Sequence, residues 1–374
     1  MKTIPKPRIL FVAPLPPPIN GSCIVSQQIK DSTLINEKFR CDWVNLSTSS
    51  RMEELGKNSA MKIMRYAASL FRMFCLLVSH RYSLCYLAIT CHGVPFLKNA
   101  PFVLLCKLFR RKIIIHQHNK GMSADTDKWP YRWLFPLVYS KARVVLLSWH
   151  LYADIESVVS KENVLICPNG VGAETLSAEA HSDNQLPHLL FLSNLIESKG
   201  VLVLLDALKI LADRGVQYVC NYVGGETVEV NFERLAIEIN SRNLGERVHY
   251  LGRRQGREKE NIMEQSDVFV FPTYYHNECF PLVLLEAMQH ALPCVTTNEG
   301  GIADIVVDGE TGIICPQRDA VALADALQKL ITDKTLRLTM GRNGQSRQKT
   351  LFTEKAFEER MTNILASAIA ANKA

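Results

Sequence analysis

Twelve short runs of apolar residues, many of them β-branched, recur along this chain of 374 residues, and helix-length segments separate them. Because the runs are continuously apolar and do not alternate with polar residues, they are typical of parallel sheets that helices cover on both faces. The pattern predicts an α/β fold with two doubly wound, Rossmann-like domains, and two domains suggest a cleft between them. The predicted strands are residues 8–13, 41–46, 83–89, 112–117, 143–148, 163–167, 189–193, 218–223, 247–251, 268–272, 293–297 and 312–315.

Residues 171–187 have neither a hydrophobic period nor much apolar content, which is typical of a linker. The segment predicts an N-terminal domain over residues 1–170 and a C-terminal domain over 188–352. A final helix from residue 353 is long enough for the stretch 353–374 to return to the first domain. We find no internal repeat and no low-complexity tract.

Charge is distributed unevenly: residues 1–180 hold 23 basic and 12 acidic side chains, against 20 and 25 in the remainder. Residues 55–124 contain eleven basic side chains and no acidic one. Such a run attracts an anionic membrane face, a phosphorylated substrate or nucleic acid, or it is a solvated face with counterions. Nucleic acid is the weakest of these, because the run lacks regularly interleaved aromatic residues.

Residues 61–79 form a basic amphipathic helix on a helical wheel, with Lys62, Arg65, Ser69 and Arg72 on one face. Such a helix can lie on an anionic bilayer, or it can pack on the core with its basic stripe in water. We expect no signal peptide and no transmembrane helix. Eleven cysteines without a CxxC pair indicate buried reduced thiols in a cytoplasmic protein.

Two features of the N-terminal half suggest ligand contacts. Gly21 lies between the first strand and the first helix, where backbone amides can approach a phosphate. His116 and His118 follow the fourth strand, and alternation along a strand points them the same way. A structural role for either histidine stays open, and a metal pair would need ligands that we do not identify. No GxGxxG or GxxxxGK[ST] occurs, which argues against a dinucleotide oxidoreductase and a P-loop NTPase.

The C-terminal half holds the more informative motifs. Lys199 falls at the start of a predicted helix, where the helix dipole disfavours a cation unless an anion binds there. Pro281 suits a first helical turn, so Glu278 would precede the helix and Glu286 would lie inside it among apolar residues. A buried carboxylate requires a hydrogen-bond partner, for which a ribose diol is suitable. The free amides in the stretch from Phe280 to Val283 could hold a phosphate between the two glutamates.

The segment Asn277–Met288, followed by Gly300-Gly301 and Gly309-Glu310-Thr311-Gly312, resembles the E-x7-E pattern of retaining family 4 glycosyltransferases of the bacterial surface-polysaccharide type. The resemblance implies the GT-B fold, with two domains facing each other across a cleft. It implies that the first domain binds the acceptor and that the second binds a nucleotide-sugar donor.

The resemblance also assigns roles to residues. Glu278 would contact the donor sugar, Glu286 the ribose, and Lys199 the diphosphate. Gly21 would supply a backbone contact to the donor phosphate, and Phe280, Pro281, Leu282 and Val283 would line it at the helix start. His118, or less favourably His116, would reach the transferred sugar, and the main chain at Arg253 and Arg254 would lie beside the base.

One departure concerns the diphosphate. The family usually has an arginine where this chain has Asn194, so a cation is missing there, and Arg253, Arg254 or Arg257 could substitute. The resemblance implies no metal or other cofactor, and we expect the one Asp-x-Asp, Asp125-Thr126-Asp127, to be a loop.

The expected function is retaining sugar transfer to a hydroxyl acceptor, such as a lipid-linked glycan at the inner face of the cell membrane. The alternatives are a non-catalytic GT-B subunit that binds a partner transferase or the membrane, and a nucleotide-sugar epimerase. The sugar, the base, the acceptor and the oligomeric state stay open.

Overall fold

A computed structural model of the protein describes residues 5–17, 21–47, 60–172 and 185–371. The chain divides into two compact units: unit 1 comprises Met1–Asn169 with Glu354–Ala374, and unit 2 comprises Gly170–Thr353. Most of the segment predicted as a linker, residues 173–184, lies outside the described residues.

Unit 1 is built on a parallel sheet with the strand order β2-β1-β3-β4-β5-β6. Its strands are β1 (Arg8–Ala13), β2 (Arg40–Asn45), β3 (Leu84–Ala88), β4 (Ile113–His116), β5 (Ala142–Leu146) and β6 (Val164–Ile166). Its helices are α1 (Gly21–Asp31), α2 (Thr33–Lys38), α3 (Ala60–Ser79), α4 (Gly93–Leu108), α5 (Tyr131–Tyr139) and, from the end of the chain, α13 (Glu354–Ala370). The central strands β3 and β4 are buried along their whole length, which explains why their sequences do not alternate.

Unit 2 repeats this architecture with the strand order β12-β11-β10-β7-β8-β9. Its strands are β7 (His188–Leu192), β8 (Val219–Val223), β9 (Val248–Tyr250), β10 (Val268–Phe271), β11 (Cys294–Thr297) and β12 (Gly312–Cys315). Its helices are α6 (Val201–Asp213), α7 (Phe232–Ser241), α8 (Arg257–Glu264), α9 (Leu282–Gln289), α10 (Ile302–Ile305), α11 (Ala320–Thr332) and α12 (Lys334–Leu351).

Both sheets bear out the predicted α/β class, since a strand occupies each of the twelve predicted positions in the described residues. In unit 2 the strand order reverses between β7 and β10, which are hydrogen-bonded neighbours. Ligands of doubly wound sheets bind outside the carboxyl ends of the strands at such a reversal. The loops that follow β7 and β10 are therefore where a ligand site is expected.

The last helix, α13, completes the core of unit 1. Phe357, Met361 and Leu365 are spaced four residues apart, so they share one helix face, and all three are buried against the first strands of unit 1. Losing an aromatic side chain from such a core costs about 3–5 kcal/mol. The end of the chain is thus part of the first folding unit.

Helix α3 does not turn the whole predicted face of Lys62, Arg65, Ser69 and Arg72 toward solvent. Met73 and Leu77 are its buried residues, and Ser69 Oγ donates to the carbonyl of Asn45 at 3.0 Å, so the Ser69 side faces inward. Apolar side chains on the other side are exposed, including Met64 and Phe71. In the part of the chain that the structure describes, no helix combines the length and the apolar character needed to cross a membrane.

Candidate active site

Lys199 and Glu278 meet at the reversal in strand order of unit 2. Lys199 lies in the loop after β7 and Glu278 in the loop after β10, and Lys199 Nζ contacts Glu278 Oε2. The two side chains are only 14% and 11% exposed, so the pair is shielded from most of the solvent. Two residues 79 positions apart are therefore brought together by the sheet topology.

Gly200 sets the position of Lys199. Its φ of +89° is left-handed, and a Cβ at this position would lie 2.3 Å from the carbonyl oxygen of Pro272, at the end of β10. Glycine is the residue that satisfies both conditions. The prediction that Lys199 begins a helix is wrong: it ends a 3₁₀ turn, and α6 starts at Val201 after the left-handed glycine.

Aromatic rings surround the Lys199 ammonium. Its Nζ lies 4.4 Å from the centroid of the Tyr275 ring and 5.4 Å from that of Phe271. Ring faces attract cations at these distances. The loop that carries Tyr275 is fixed to the Lys199 turn by the Tyr274 amide, which donates to the Ser198 carbonyl at 2.8 Å.

Glu278 is positioned by the loop after β11. Gly300 has a φ of +57°, and a Cβ there would lie 2.2 Å from the Glu278 carbonyl oxygen. The amide of Gly301 donates to the Cys279 carbonyl at 2.6 Å. The pair Gly300-Gly301 thus allows a close approach that a larger residue would prevent.

Helix α9 begins one residue later than predicted. Pro281 is its N-cap residue and lies outside the first turn, and Leu282 and Val283 are the first helical residues. Amides at the start of a helix have no partner within it, and none for these two is found among the described residues. They remain able to donate to an anion.

Glu286 lies in α9, as expected, but its surroundings differ from the prediction. Its side chain is 23% exposed, and its Oε1 is 2.9 Å from the Nζ of Lys259 in α8. The predicted hydrogen-bond partner of Glu286 is a ribose, but in this structure Lys259 already provides a partner. Burial works against the ammonium, yet the charges of Glu286 and Glu260 outweigh it and raise the pKa of Lys259.

Lys259 belongs to a larger network that the sequence analysis missed. Its Nζ is also 3.4 Å from Glu260 Oε1, and Glu260 Oε2 is 2.6 Å from His290 Nε2. Glu260 and His290 are both buried. The network connects α8 to the end of α9, and no local spacing in the sequence indicates it.

Asn194 and Arg253 both lie close to Gly225. A Cβ on Gly225 would be 3.1 Å from Asn194 Oδ1 and 3.9 Å from Arg253 Cδ. Arg254 and Arg257 face the carboxylates of Glu258 and Glu264 at 3.8 Å and 3.3 Å. Arg253, by contrast, pairs with no carboxylate among the described residues. Arg253 is thus the arginine that lies near Asn194, where it could replace the family's usual arginine.

The histidines of unit 1 lie together at the end of β4. The centroids of the His116 and His118 rings are 4.0 Å apart, so both rings are on the same side, as their spacing predicts. His116 Nδ1 is 2.6 Å from the Tyr86 hydroxyl. The Nε2 atoms of both rings are buried without a hydrogen-bond partner in the described residues.

Burial keeps both histidines neutral. It lowers the pKa of His118 to about 4, and it lowers that of His116 well below the ordinary value, with a further contribution from His118. Gly21 is the first residue of α1, and a Cβ there would meet no atom within 4 Å. Residues 18–20 of the predicted glycine loop lie outside the described residues.

Residues 173–347 match the family model for Glycosyl transferases group 1. Relatives include the Staphylococcus aureus capsular polysaccharide biosynthesis glycosyltransferase CapM, 27% identical over 56% of this chain and 57% of that protein. The D-rhamnosyltransferase WbpZ of Pseudomonas aeruginosa is 31% identical over 44% of this chain and 41% of its own. The chain therefore spans about half the length of these curated relatives. The family match and these relatives support a glycosyltransferase.

Solved structures resemble the chain over almost its whole length. Sucrose-phosphate synthase from Thermosynechococcus elongatus has a TM-score of 0.76 and 20% identity, covering 98% of this chain and all of that one. Anabaena HepE, solved in complex with UDP, has a TM-score of 0.74 and 16% identity over 96% of this chain and all of its own. The chain has the two-domain α/β GT-B fold. The fold predicted from the motif resemblance is confirmed.

The roles of the individual site residues, and the absence of a metal requirement, stay predictions. Asp125 and Asp127 fall in turns, and the Asp125 carboxylate accepts from the Gly93 amide at 2.9 Å and from Lys128 at 2.8 Å. Within the described ranges, no three His, Cys, Asp or Glu side chains are grouped so as to hold a metal ion.

Proposed function

We propose that the protein is a retaining glycosyltransferase of family 4, which moves a sugar from a nucleotide-diphosphate sugar to a hydroxyl acceptor. The observation that carries the proposal is the contact between Lys199 and Glu278 at the strand-order reversal of unit 2, with Glu286 following in α9. The GT-B neighbour HepE was solved with UDP, which supports a nucleotide-diphosphate donor.

Four charged side chains of unit 2 have a role in this chemistry: Lys199, Glu278, Glu286 and Arg253. The ammonium of Lys199 and the first amides of α9 hold the diphosphate and stabilise the charge that it gains as it leaves. Glu278 contacts hydroxyls of the donor sugar, and Glu286 contacts the ribose. Arg253, beside Asn194, supplies the second cation that the family usually takes from an arginine at the Asn194 position.

The reaction keeps the α-configuration because the acceptor attacks on the face from which the diphosphate departs. The bond from the anomeric carbon to the diphosphate oxygen breaks with its electron pair remaining on the diphosphate. The acceptor oxygen forms the new bond, and its proton passes to the departing diphosphate. No base from the protein is then required.

The acceptor is a lipid-linked glycan of surface-polysaccharide biosynthesis, and the protein works as a peripheral protein on the inner face of the cell membrane. Support comes from α3, whose Met64, Phe71 and Val78 are 65%, 68% and 60% exposed. They are spaced seven residues apart and form one apolar stripe, with Arg65 and Arg72 beside it. An apolar stripe bordered by cations fits an anionic bilayer surface. The relative CapM, a capsular polysaccharide enzyme, supports the polysaccharide assignment.

The donor site is tested by melting-temperature shifts with UDP, GDP, ADP and their sugars. Binding to the folded state must raise the melting temperature, so one base should give a shift of several degrees. Glu286→Gln should abolish the shift, whereas Glu258→Gln, a change of the same kind at a carboxylate 70% exposed on α8, should keep it.

An assay of turnover then distinguishes the proposed glycosyltransferase from a non-catalytic subunit and from an epimerase. Sugar transfer to a lipid-linked acceptor, with an α-linked product seen by NMR, supports the proposal. Nucleotide binding without transfer to any such acceptor would instead indicate a non-catalytic subunit, and an inverted ring carbon without an acceptor would indicate an epimerase.

A further inference from the structure

A cavity of about 620 Å³ opens at the amino edge of the unit 1 sheet, where β3, β4 and β5 begin. His116 ends β4 and His118 follows it, three and five residues beyond Ile113 at the cavity, which is about 10 and 17 Å along the strand direction at 3.3 Å per residue. The cavity is therefore separate from every residue of unit 1 predicted to contact donor or acceptor.

Basic side chains dominate the walls of this cavity, and none of its described lining residues is acidic. The basic ones are Lys107, Arg110, Arg111, Lys112, Lys141 and Arg143. They come from three places: the end of α4, the turn into β4, and the beginning of β5 with the residue before it. Gathering this many like charges around one cavity is unfavourable unless something anionic enters it.

Two of the six cations are used by the fold itself. Lys107 Nζ donates to the Ser140 carbonyl at 2.5 Å and to its hydroxyl at 2.8 Å. Lys112 Nζ donates to the carbonyls of Ile369 and Ala371 at the end of α13, at 2.5 and 2.6 Å. Cations at helix ends complement exposed carbonyls, which explains these two lysines without a ligand.

The other four have no such explanation. Arg110, Lys141 and Arg143 form no ion pair or side-chain hydrogen bond with any described residue. Arg111 reaches the His80 carbonyl only at 3.4 Å, and its Nε is buried without a partner among the described residues. A buried, unsatisfied guanidinium nitrogen is costly unless a ligand completes its hydrogen bonds.

Backbone conformation gives a second observation. Arg110 and Lys141 have φ values of +53° and +56°, in the left-handed region that favours glycine or asparagine. Both follow a helix end, where glycine would be the low-energy choice, and both present a cation to the cavity. A cation occupies each of these two positions in spite of the backbone strain.

We propose that this cavity, which we call the amino-edge pocket, binds a phosphate-bearing anion with at least two phosphoryl charges, at a site separate from the donor site. Guanidinium groups match phosphate oxygens with paired hydrogen bonds, and the pocket offers three of them. Its volume is within the range of small-molecule sites. The phosphate comes either from a free metabolite or from the headgroup of an anionic lipid.

Inorganic pyrophosphate, titrated calorimetrically into the full chain, tests the first source. The variant R110G/K141G removes two cations while relieving two left-handed strains, so it should fold at least as well as the parent. The control K30A/K38A removes two exposed cations from α1 and α2. Because pyrophosphate could also bind at Lys199, every titration is repeated in a Lys199→Met background.

Vesicles of phosphatidylcholine with cardiolipin, an anionic lipid whose headgroup carries two phosphates, test the second source in a sedimentation assay against vesicles of phosphatidylcholine alone. The proposal predicts that R110G/K141G weakens binding at least tenfold in one of the two assays, with K30A/K38A changing it less than threefold. A loss with pyrophosphate identifies a free phosphate compound, and a loss with vesicles alone identifies a lipid headgroup. Equal binding by R110G/K141G and K30A/K38A in both assays overturns the proposal.

Discussion

The carboxyl edges of the two sheets have the same architecture, but one carries paired charges and the other carries neutral polar groups. In unit 2, charged side chains are shielded and paired, as in Lys199 with Glu278 and Lys259 with Glu286. In unit 1, the polar groups at this edge include the buried His116, the half-buried His118, both of them neutral, and the Tyr86 hydroxyl. The comparison shows that the loops after the strands, and not the doubly wound fold itself, determine whether this edge of the sheet is charged or neutral.

Burial explains both outcomes. A titratable group moved out of water loses its charge unless an opposite charge is nearby. The histidines lack such a partner, so burial lowers their pKa values and keeps them neutral. Lys259 has two carboxylates beside it, and their charges raise its pKa despite burial. A charged edge suits a diphosphate, whereas a neutral one suits sugar hydroxyls.

The largest expected effect concerns Glu278, on the charged edge. Glu278→Gln should reduce sugar transfer by about 100- to 1000-fold, the usual result of removing one preorganised electrostatic contact. Rates are compared with those of Glu258→Gln, once the donor base has been identified. A rate within threefold of the parent's would remove Glu278 from the proposed mechanism.

Gly200→Ala tests whether the charged edge depends on close backbone contact. The added Cβ meets the Pro272 carbonyl and also forces a left-handed alanine. Gly309→Ala is the matched control, because its φ is +76° and its Cβ would meet no atom within 4 Å. Left-handed alanine alone costs about 1–2 kcal/mol, and overpacking adds about 1–3 kcal/mol.

Urea unfolding measures both free energies of unfolding. Gly200→Ala should lower the free energy of unfolding more than Gly309→Ala does, by about 1–3 kcal/mol, which is what overpacking costs. Equal losses in the two variants would show that strain, and not the contact with Pro272, accounts for the glycine.

Acid should affect the neutral edge. The folded pKa of His118 is about 4, below the ordinary value of 6.5, so the unfolded chain binds the proton first as pH falls. The contribution of His118 to stability is therefore complete above about pH 6.5 and is lost progressively toward pH 4. Each pKa unit corresponds to about 1.4 kcal/mol, so the loss should be about 2 kcal/mol by pH 5.

Chemical denaturation at pH 7.5 and pH 5 checks this difference in the parent and in His118→Gln. The variant should lose about 2 kcal/mol less stability than the parent over that interval, because it has no group that titrates there at this position. If both proteins respond to pH alike, His118 is not held neutral by burial.

The smallest effect on stability is expected at the α3 stripe. Phe71 is 68% exposed, so Phe71→Ser should change the free energy of unfolding by less than about 0.5 kcal/mol. Binding to phosphatidylglycerol vesicles should nevertheless weaken severalfold, since the ring contributes most apolar area to the stripe. Phe74→Ser, 43% exposed on the same helix, is the control and should have the weaker effect on binding. Unchanged vesicle binding in Phe71→Ser would contradict the membrane assignment.

The sequence predicts the strands well because burial on both faces leaves a continuous apolar run. It also selects Glu278 and Glu286 as candidates, because their spacing is local and lies around one helix start. It does not reveal Lys259, which comes from another helix, or the contact of Gly200 with Pro272, which depends on the pairing of β7 with β10. A helical wheel likewise cannot indicate which face of α3 the sheet covers.

The most direct test of the central claim compares a nucleoside diphosphate with the corresponding monophosphate by calorimetric titration. Lys199 should contact the terminal phosphate of the diphosphate, so Lys199→Met should lower diphosphate affinity at least tenfold and leave monophosphate affinity within twofold. Equal effects on both ligands, or none on either, would contradict the assignment of this edge as the donor site.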